Sequence, residues 1–499
     1  MHRLAQLDHR YLWHPFTQMR DWLKREPITI VRGQGAVLQD VHGRSYLDAN
    51  SSIWTNLHGH NHPKINAAIQ RQLKKIAHSS ALGLANEPAA LLAEKLVDAA
   101  NNPAVTNRPR AIADGKLAKV FFSDDGSTAM EVALKLAYEY ARRTGRSKHP
   151  RFLSLQGAYH GDTVGAVSLG HVDLFRNAYA GLLFKTDKVI SPYCYRCPFN
   201  RAKPQRADAR EYRKCNNECL GKVEESFARQ KRKGNPYAAM IVEPLIQGAA
   251  GMIPQPEGWL RRVAEIVRGS RAQLIGDEVL TGFGRATVAA DVRRRTALRK
   301  VIENTGVPPH VGGYGNALFA CHQEAVQPDF LALAKGMTGG YLPMAATLTT
   351  QAVFDAFLGD YSEFKTFFHG HSYTANQLGS AASLASLELL QSRASIDARQ
   401  KLQLAMREAL PDLWALRQVG DIRQVGLIAG IELVTDWRTR EPFDLRQRAG
   451  IRVCEAMARR GVLTRPIGNV IVLMPPYCTT PSQAQQIVET LSTSIKETL

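Results

Sequence analysis

The 499 residues hold no apolar run long enough to cross a bilayer, no internal repeat and no low-complexity tract, and only seven of them are cysteine. The first absence excludes a helical membrane span. The scarcity of cysteine excludes a fold held by disulfides. The opening residues, Met1-His-Arg-Leu-Ala-Gln-Leu-Asp8, lack the apolar core of an export signal. A soluble cytoplasmic protein with no membrane partner is the expectation. Acid is also in short supply, with 45 Asp and Glu against 64 Lys and Arg and a net charge of +19. Residues 196–234 carry twelve Lys/Arg and five Asp/Glu, and residues 287–316 carry five and two. Much of the excess therefore falls in two segments that read as surface excursions. Aromatic residues do not interleave with these bases, as a single-strand nucleic-acid binder requires, so no nucleic-acid partner is expected.

What is present is an ordinary globular balance, 44% hydrophobic and 22% charged, with length for two cores. Gly35 to Gly43 alternates like a hairpin that turns at His42-Gly43. Apolar spacing predicts helices over 66–76, 88–100, 129–142, 376–390 and 446–460. Short apolar runs at 119–123, 151–155, 238–242, 273–276, 428–433 and 470–473 read as strands. Alternation of the two through the middle of the chain predicts an α/β fold with a mostly parallel sheet. Ligands then bind at the carboxyl ends of its strands.

Two runs carry chemistry. Asp329-Phe-Leu-Ala-Leu-Ala-Lys335 ends an apolar strand on a lysine and opens onto Gly336 and Gly339-Gly340. Burial penalises an ammonium and frees an amine that can act as a nucleophile. A lone lysine of this kind more often snorkels or pairs with an acid. Ala272-Gln-Leu-Ile-Gly-Asp277-Glu-Val-Leu-Thr-Gly-Phe-Gly-Arg285 shifts that balance, because a second apolar strand ends on an acid beside glycines. A lysine with an acid able to hold a pyridinium nitrogen is the pair that pyridoxal phosphate chemistry needs. Ser123-Asp-Asp-Gly126-Ser127 follows a strand and opens a helix, a place where backbone N–H groups take phosphate.

With Trp13-His-Pro-Phe-Thr17, Ser51-Ser-Ile-Trp54, His58-Gly-His-Asn-His-Pro63, Tyr159-His-Gly-Asp-Thr163, His369-Gly-His-Ser-Tyr373 and Thr464-Arg-Pro-Ile-Gly468, these runs span nearly the whole chain. In this order they resemble the class III aminotransferases of the fold type I pyridoxal-phosphate family. The Trp-His-Pro and Arg-Pro-Ile-Gly runs narrow the resemblance to the branch that converts 8-amino-7-oxononanoate to 7,8-diaminononanoate in biotin synthesis. A diamine or ω-amino-acid aminotransferase of the same class is the alternative.

The resemblance implies a large domain over 49–391, with an insertion at 287–316, and a small α+β domain made from 1–48 and 392–499. It implies pyridoxal 5'-phosphate as cofactor and a homodimer with shared active sites. Lys335 holds the cofactor and moves protons, Asp277 faces its ring nitrogen, and Tyr159 stacks on the ring with Asp162 in support. Gly126 and Ser127 take the phosphate, and His371 and Ser372 reach a neighbouring subunit's phosphate. Trp54, Tyr159, Arg285, Gly370 and Arg465 line the substrate site, Arg465 taking the acceptor's carboxylate. Members that draw the amino group from S-adenosylmethionine commonly carry tyrosine and tryptophan where this chain has Phe16 and Ile53. A lysine-using branch looks more like this chain there, so S-adenosylmethionine is the first expectation for the donor and lysine the second.

Other features stand outside that resemblance. Cys194-x2-Cys197 and Cys215-x3-Cys219 approach the spacing of a structural zinc site. A zinc or iron–sulfur staple and four plain thiols on an extended loop are both open readings. His58, His60 and His62 match a turn of the family and read as structural. Residues 287–316 read as an inserted surface segment with a helical start at 288–301.

Overall fold

A computed structural model describes residues 1–101, 115–286 and 317–499 of the chain. The insertion expected at 287–316, including its helical start, lies outside the described residues. In chain order the strands are β1 (Ile30–Gln34), β2 (Val37–Asp40), β3 (Ser45–Asp48), β4 (Leu117–Ser123), β5 (Arg151–Leu155), β6 (Asp187–Val189), β7 (Tyr237–Val242), β8 (Ile246–Gln247), β9 (Ile253–Pro254), β10 (Gln273–Asp277), β11 (Phe330–Leu333), β12 (Ala345–Thr350), β13 (Val419–Val425), β14 (Ile428–Leu433), β15 (Val462–Leu463), β16 (Arg465–Ile467) and β17 (Val470–Leu473).

The main sheet has seven strands in the order β4-β12-β11-β10-β7-β5-β6. Only β12 runs against its neighbours. Every residue of β7, β10, β11 and β12 is buried. This is why they read as unbroken apolar or small-residue runs rather than as alternating ones. Ile275 sits opposite Phe330 on one side and Ile241 on the other, so the three central strands end at nearly one level. The helices Gly126–Arg143 and Trp259–Gly269 bury their apolar stripes on the sheet.

The two chain ends meet. β1, β2 and β3 form an antiparallel run, and β15 joins it parallel to β3 with Val462 opposite Leu47. Main-chain bonds continue the seam, from Leu47 N to Gly461 O at 2.8 Å, Ala49 N to Leu463 O at 2.9 Å and Met474 N to Ala49 O at 2.8 Å. A further sheet, β13-β14-β17-β16, packs against the helix Ala449–Arg459, which Pro481–Thr498 and then Arg393–Ala409 back in turn.

The basic segment 196–234 differs from the expected surface loop. It contains the helix Glu218–Arg232, and three of its arginines dock at β13 and β14. Arg206 donates to Val419 O at 2.5 Å and Leu416 O at 2.6 Å, Arg210 donates to Gln424 O at 2.9 Å, and Arg196 donates to Glu432 at 2.6 Å. Guanidinium groups suit this docking because each offers several fixed donors to main-chain carbonyls. Beneath them Arg423, fully buried, bonds Asp421 at 2.9 Å and Glu432 at 2.7 Å, and the Tyr193 hydroxyl donates to Glu432.

Candidate active site

Parallel strands deliver their carboxyl ends to one edge of the sheet. The residues that follow β4, β5, β7, β10 and β11 all line one cavity of about 510 Å³. Lys335 begins a tight turn at Lys335–Thr338 with a φ of 35°, an uncommon value for a residue with a side chain. Its Nζ lies 5.5 Å from the centre of the Trp54 ring. Burial lowers the ammonium below the ordinary lysine value, while the Asp277 and Glu243 carboxyls act in the other direction.

Asp277 closes β10 at the cavity floor. Its Oδ2 is 2.7 Å from His160 Nδ1, and its Oδ1 accepts the Val279 N–H at 3.1 Å. His160 Nε2 is buried without a hydrogen-bond partner among the described residues. One residue earlier, the Tyr159 hydroxyl donates to Asp162 at 2.6 Å, and the Asp162 N–H donates to Ser127 Oγ at 3.0 Å. Burial, and then the Asp162 carboxylate, hold the Tyr159 hydroxyl well above its ordinary value. Gly161 makes the close passage possible, since a Cβ there would stand 2.1 Å from Ser127 Oγ at a φ of 123°.

The helix Gly126–Arg143 opens on this edge. Asp125 caps it by accepting the Thr128 N–H at 2.9 Å, and Gly126 and Ser127 face the cavity in its first turn. First-turn N–H groups have no partner within a helix, and the dipole favours an anion there. On the opposite wall, Ser51, Ser52, Ile53 and Trp54 have φ values of 47°, 48°, 65° and 72°, a complete left-handed turn without glycine. Trp54 Nε1 donates to Asn50 Oδ1 at 2.8 Å, which fixes the indole.

This donor set fits pyridoxal 5'-phosphate. The cavity offers a buried amine for its aldehyde, a carboxylate for its ring nitrogen, an aromatic ring at its side and a helix terminus for its phosphate.

The remaining expected residues lie elsewhere in this chain. Arg285 is not among the cavity's lining residues. It is fully buried, donates to Pro475 O at 2.7 Å and stands 4.9 Å from the centre of the Tyr477 ring, so its charge is turned into the core. Arg465 is exposed on β16 and does not line the cavity. His371 lies 3.6 Å from Asp124, and Ser372 O accepts from His78 at 3.1 Å, both outside the cavity wall with Gly370. His58 bonds Ser386 at 3.0 Å and His60 bonds Asp48 at 2.9 Å.

Glu243 and His160 were not anticipated from the sequence as site residues, yet both line the cavity. Glu243 follows the apolar strand β7 as Asp277 closes β10, so the same pattern of an apolar strand ending on an acid marks it.

Cys194, Cys197, Cys215 and Cys219 are free thiols that border one small cavity under the 196–234 segment. Burial pushes Cys194 up to about 12 and Cys219 up to about 11. Among the described residues, no three His, Cys, Asp or Glu side chains are grouped to hold a metal ion.

Comparison with known proteins adds to this geometry. The family described as Aminotransferase class-III matches residues 19–289 and 305–495. A relative from Geobacter sulfurreducens, named adenosylmethionine-8-amino-7-oxononanoate aminotransferase, is 43% identical over 492 residues, covering 99% of this chain and 97% of the relative. A protein of the same name from Aquifex aeolicus is 42% identical over 495 residues, 99% of this chain and 97% of its own. The crystal structure of that enzyme from Methanocaldococcus jannaschii superposes with a TM-score of 0.83 at 37% identity, covering 99% of each chain. A PLP-bound amine transaminase from an uncultivated Pseudomonas species superposes at 0.82 with 30% identity, covering 98% of this chain and 99% of its own.

Proposed function

The chain belongs to the class III aminotransferases, and from that membership we propose that it transfers an amino group to 8-amino-7-oxononanoate, forming 7,8-diaminononanoate for biotin synthesis. The observation that carries the reading is the meeting of Lys335 and Asp277 in one cavity, in a chain 40–43% identical over nearly its full length to several enzymes of that name. Pyridoxal 5'-phosphate, when bound, supplies an aldehyde carbon that takes up amino groups and a ring that accepts electrons.

The protein's own groups do the rest. Lys335 is the covalent anchor and the residue that takes and returns a proton at Nζ, because burial lowers its affinity for that proton. Asp277 keeps the ring nitrogen protonated, and the His160 imidazole, closed off from solvent, fixes the carboxylate's direction. Tyr159, tethered through Asp162 to Ser127, gives the ring a rigid face. Gly126 and Ser127 bind the phosphate through helix N–H groups and the Ser127 hydroxyl. Trp54 walls the cavity above Lys335 and excludes water. Arg465, exposed on β16, is the residue assigned to the acceptor's carboxylate. Arg285 acts from the core, backing Tyr477 rather than touching substrate.

The proposal extends to a homodimer in which His371 and Ser372 reach the neighbouring subunit's phosphate and Gly370 lines the substrate site. Supporting it, the loops around 78–86 and 372–376 are tied by Asn86 to Ala375 O at 3.0 Å and His78 to Ser372 O at 3.1 Å. Between them they expose Leu82, Leu84 and Tyr373. Division into a large domain over 49–391 and a small one from both chain ends is read alongside, from the sheet that β15 shares with β1–β3. Cytoplasmic placement is proposed as well; no helix among the described residues is long and apolar enough to cross a membrane.

S-adenosylmethionine is the proposed donor, and L-lysine is the second reading. Phe16 favours the second: its ring packs on Phe175 at 5.2 Å, and Phe175 packs on Tyr159 at 5.7 Å, so a phenyl ring stands where S-adenosylmethionine users commonly carry a tyrosine. The test is the visible absorption of the loaded enzyme, titrated separately with each donor. Bleaching by one donor and recovery on adding 8-amino-7-oxononanoate names the pair. Absorption unmoved by both donors overturns the assignment in favour of a different ω-amino substrate. Lys335→Ala is expected to fold and to lose all turnover.

A further inference from the structure

Glu243 has no part in the reaction as described, yet it lines the Lys335 cavity together with Asp124, Asp125 and Asp277 and is only 5% exposed. One oxygen accepts the Tyr159 N–H at 3.3 Å and the other accepts the Gly248 N–H at 2.7 Å. The main chain of the same residue is pinned as well, since Gln255 donates to Glu243 O at 2.8 Å and receives the Leu245 N–H at 3.0 Å. The turn that follows β7 is therefore closed around this side chain, and Gly248 is required there because a Cβ would stand 2.4 Å from Leu280 Cδ2. No arginine or lysine salt bridge neutralises it among the described residues. A buried carboxyl without a cation partner is costly and persists where other constraints hold it.

We propose that Glu243 is a positioning residue of the transamination, clamping the main chain under the Tyr159 ring to the turn after β7 and setting a second carboxyl beside Asp277 and Lys335. Two consequences follow. The ring platform has two fixings, Asp162 on its hydroxyl and Glu243 on its backbone, so it resists tilt when substrates exchange. The charge of Glu243 also biases the proton on Lys335, because a nearby carboxylate favours the protonated amine.

The groups facing it are few. His160 and Tyr159 come from the loop after β5, Asp277 from the end of β10 and Lys335 from the turn after β11, with Asp125 and Asp162 farther out around the lysine. Burial and the Asp277 charge push Glu243 up to about 7, against His160 and the two N–H donors, which act to lower it. The carboxyl thus changes charge near neutral pH.

This inference rests on the aminotransferase reading and not on the identity of the acceptor, and its main readout needs no substrate. The holoenzyme of Glu243→Gln and its parent are titrated with alkali and acid while the cofactor's visible band is followed. Loss of the carboxylate is expected to lower the midpoint of that titration by roughly half a pH unit or more. The same variant is expected to lose on the order of tenfold in kcat, with KM for either substrate little changed, as misplacement of a reacting group does. Glu243→Asp keeps the charge one methylene farther back and is expected to hold the midpoint near the parent's while still lowering kcat. A purely structural role predicts the opposite pattern, lower thermal midpoints in both variants with an unmoved titration. A folded Glu243→Gln holoenzyme with parental midpoint and parental kcat overturns the proposal. If Glu243→Gln yields no holoenzyme, Glu243→Asp decides alone, and parental kcat in it overturns the proposal.

Discussion

His160 Nδ1 stands 2.7 Å from Asp277 Oδ2 with both side chains shut off from solvent. An imidazole placed so fixes which way the carboxylate faces, and its own Nε2 remains without a partner among the described residues. His160→Ala is expected to weaken cofactor binding by on the order of 10- to 100-fold, as loss of a partner behind a binding carboxylate does. Fluorescence titration of the apoenzyme with pyridoxal phosphate reads this directly. Unchanged affinity removes His160 from the site.

The Arg423 guanidinium lies between Asp421 and Glu432 with no exposure. Arg423→Met leaves two buried carboxyls facing each other and the Gly251 and Met252 carbonyls without their donor. A loss of about 3–5 kcal/mol is expected. Chemical denaturation of the holoenzyme measures it. A loss below about 1 kcal/mol contradicts the role given to the cluster.

Acid sensitivity follows from His58. Burial first, then the charges of His62, Arg399 and Arg285, lower its folded value from 6.5 to about 3. The unfolded chain therefore binds the proton first as pH falls, so stability is lost between pH 6.5 and 3 at up to about 1.4 kcal/mol per pH unit. His58→Gln is expected to flatten the slope of unfolding free energy against pH in that window by about one proton. An identical slope in the variant shows that other groups carry the acid sensitivity.

Ile53 occupies the third place of the left-handed turn with a φ of 65°, a conformation that a β-branched side chain adopts at a cost, and its side chain is 40% exposed. Ile53→Gly relieves about 1 kcal/mol of strain. The thermal midpoint is expected to rise while the cavity wall loosens, so kcat should fall. A fall in midpoint together with unchanged kcat contradicts this account of the turn.

Lys335 and Asp277 were legible in the sequence because each ends an apolar run that burial compels into a strand, and a charged group in that place is rare. Gly126, Ser127 and Tyr159 were legible only through the family's order of motifs, since a Gly-Ser before a helix is locally commonplace. Glu243 was legible by the Asp277 criterion, since it too follows an apolar strand directly, and it went unread. β12 was missed for a different reason. Ala-Ala-Thr-Leu-Thr-Thr is poor in bulky residues, and it forms a strand because both of its neighbours pair with it in the interior. The left-handed turn at 51–54 has no glycine or asparagine to announce positive φ, so tertiary contacts impose it, among them Ser51 Oγ donating to Met474 O at 2.7 Å. Arg285 was expected to line the substrate site; it lies instead in the core, donating to the carbonyl of Pro475, a partner 190 residues away.

The seam between the chain ends sets the order in which the protein can be completed. Leu47, Ala49 and Leu57 hold their main-chain partners at Gly461, Leu463, Met474 and Tyr477. A ribosome delivers the first group some four hundred residues ahead of the second, at about 5–20 residues per second. For that interval, tens of seconds at such rates, the 51–54 turn lacks its partner at Met474, and the strands that carry Asp277 and Lys335 emerge before that partner does. The wall above the lysine is therefore the last part of the pocket to be built. A nascent chain paused before residue 461 would present the cofactor with a floor and no roof.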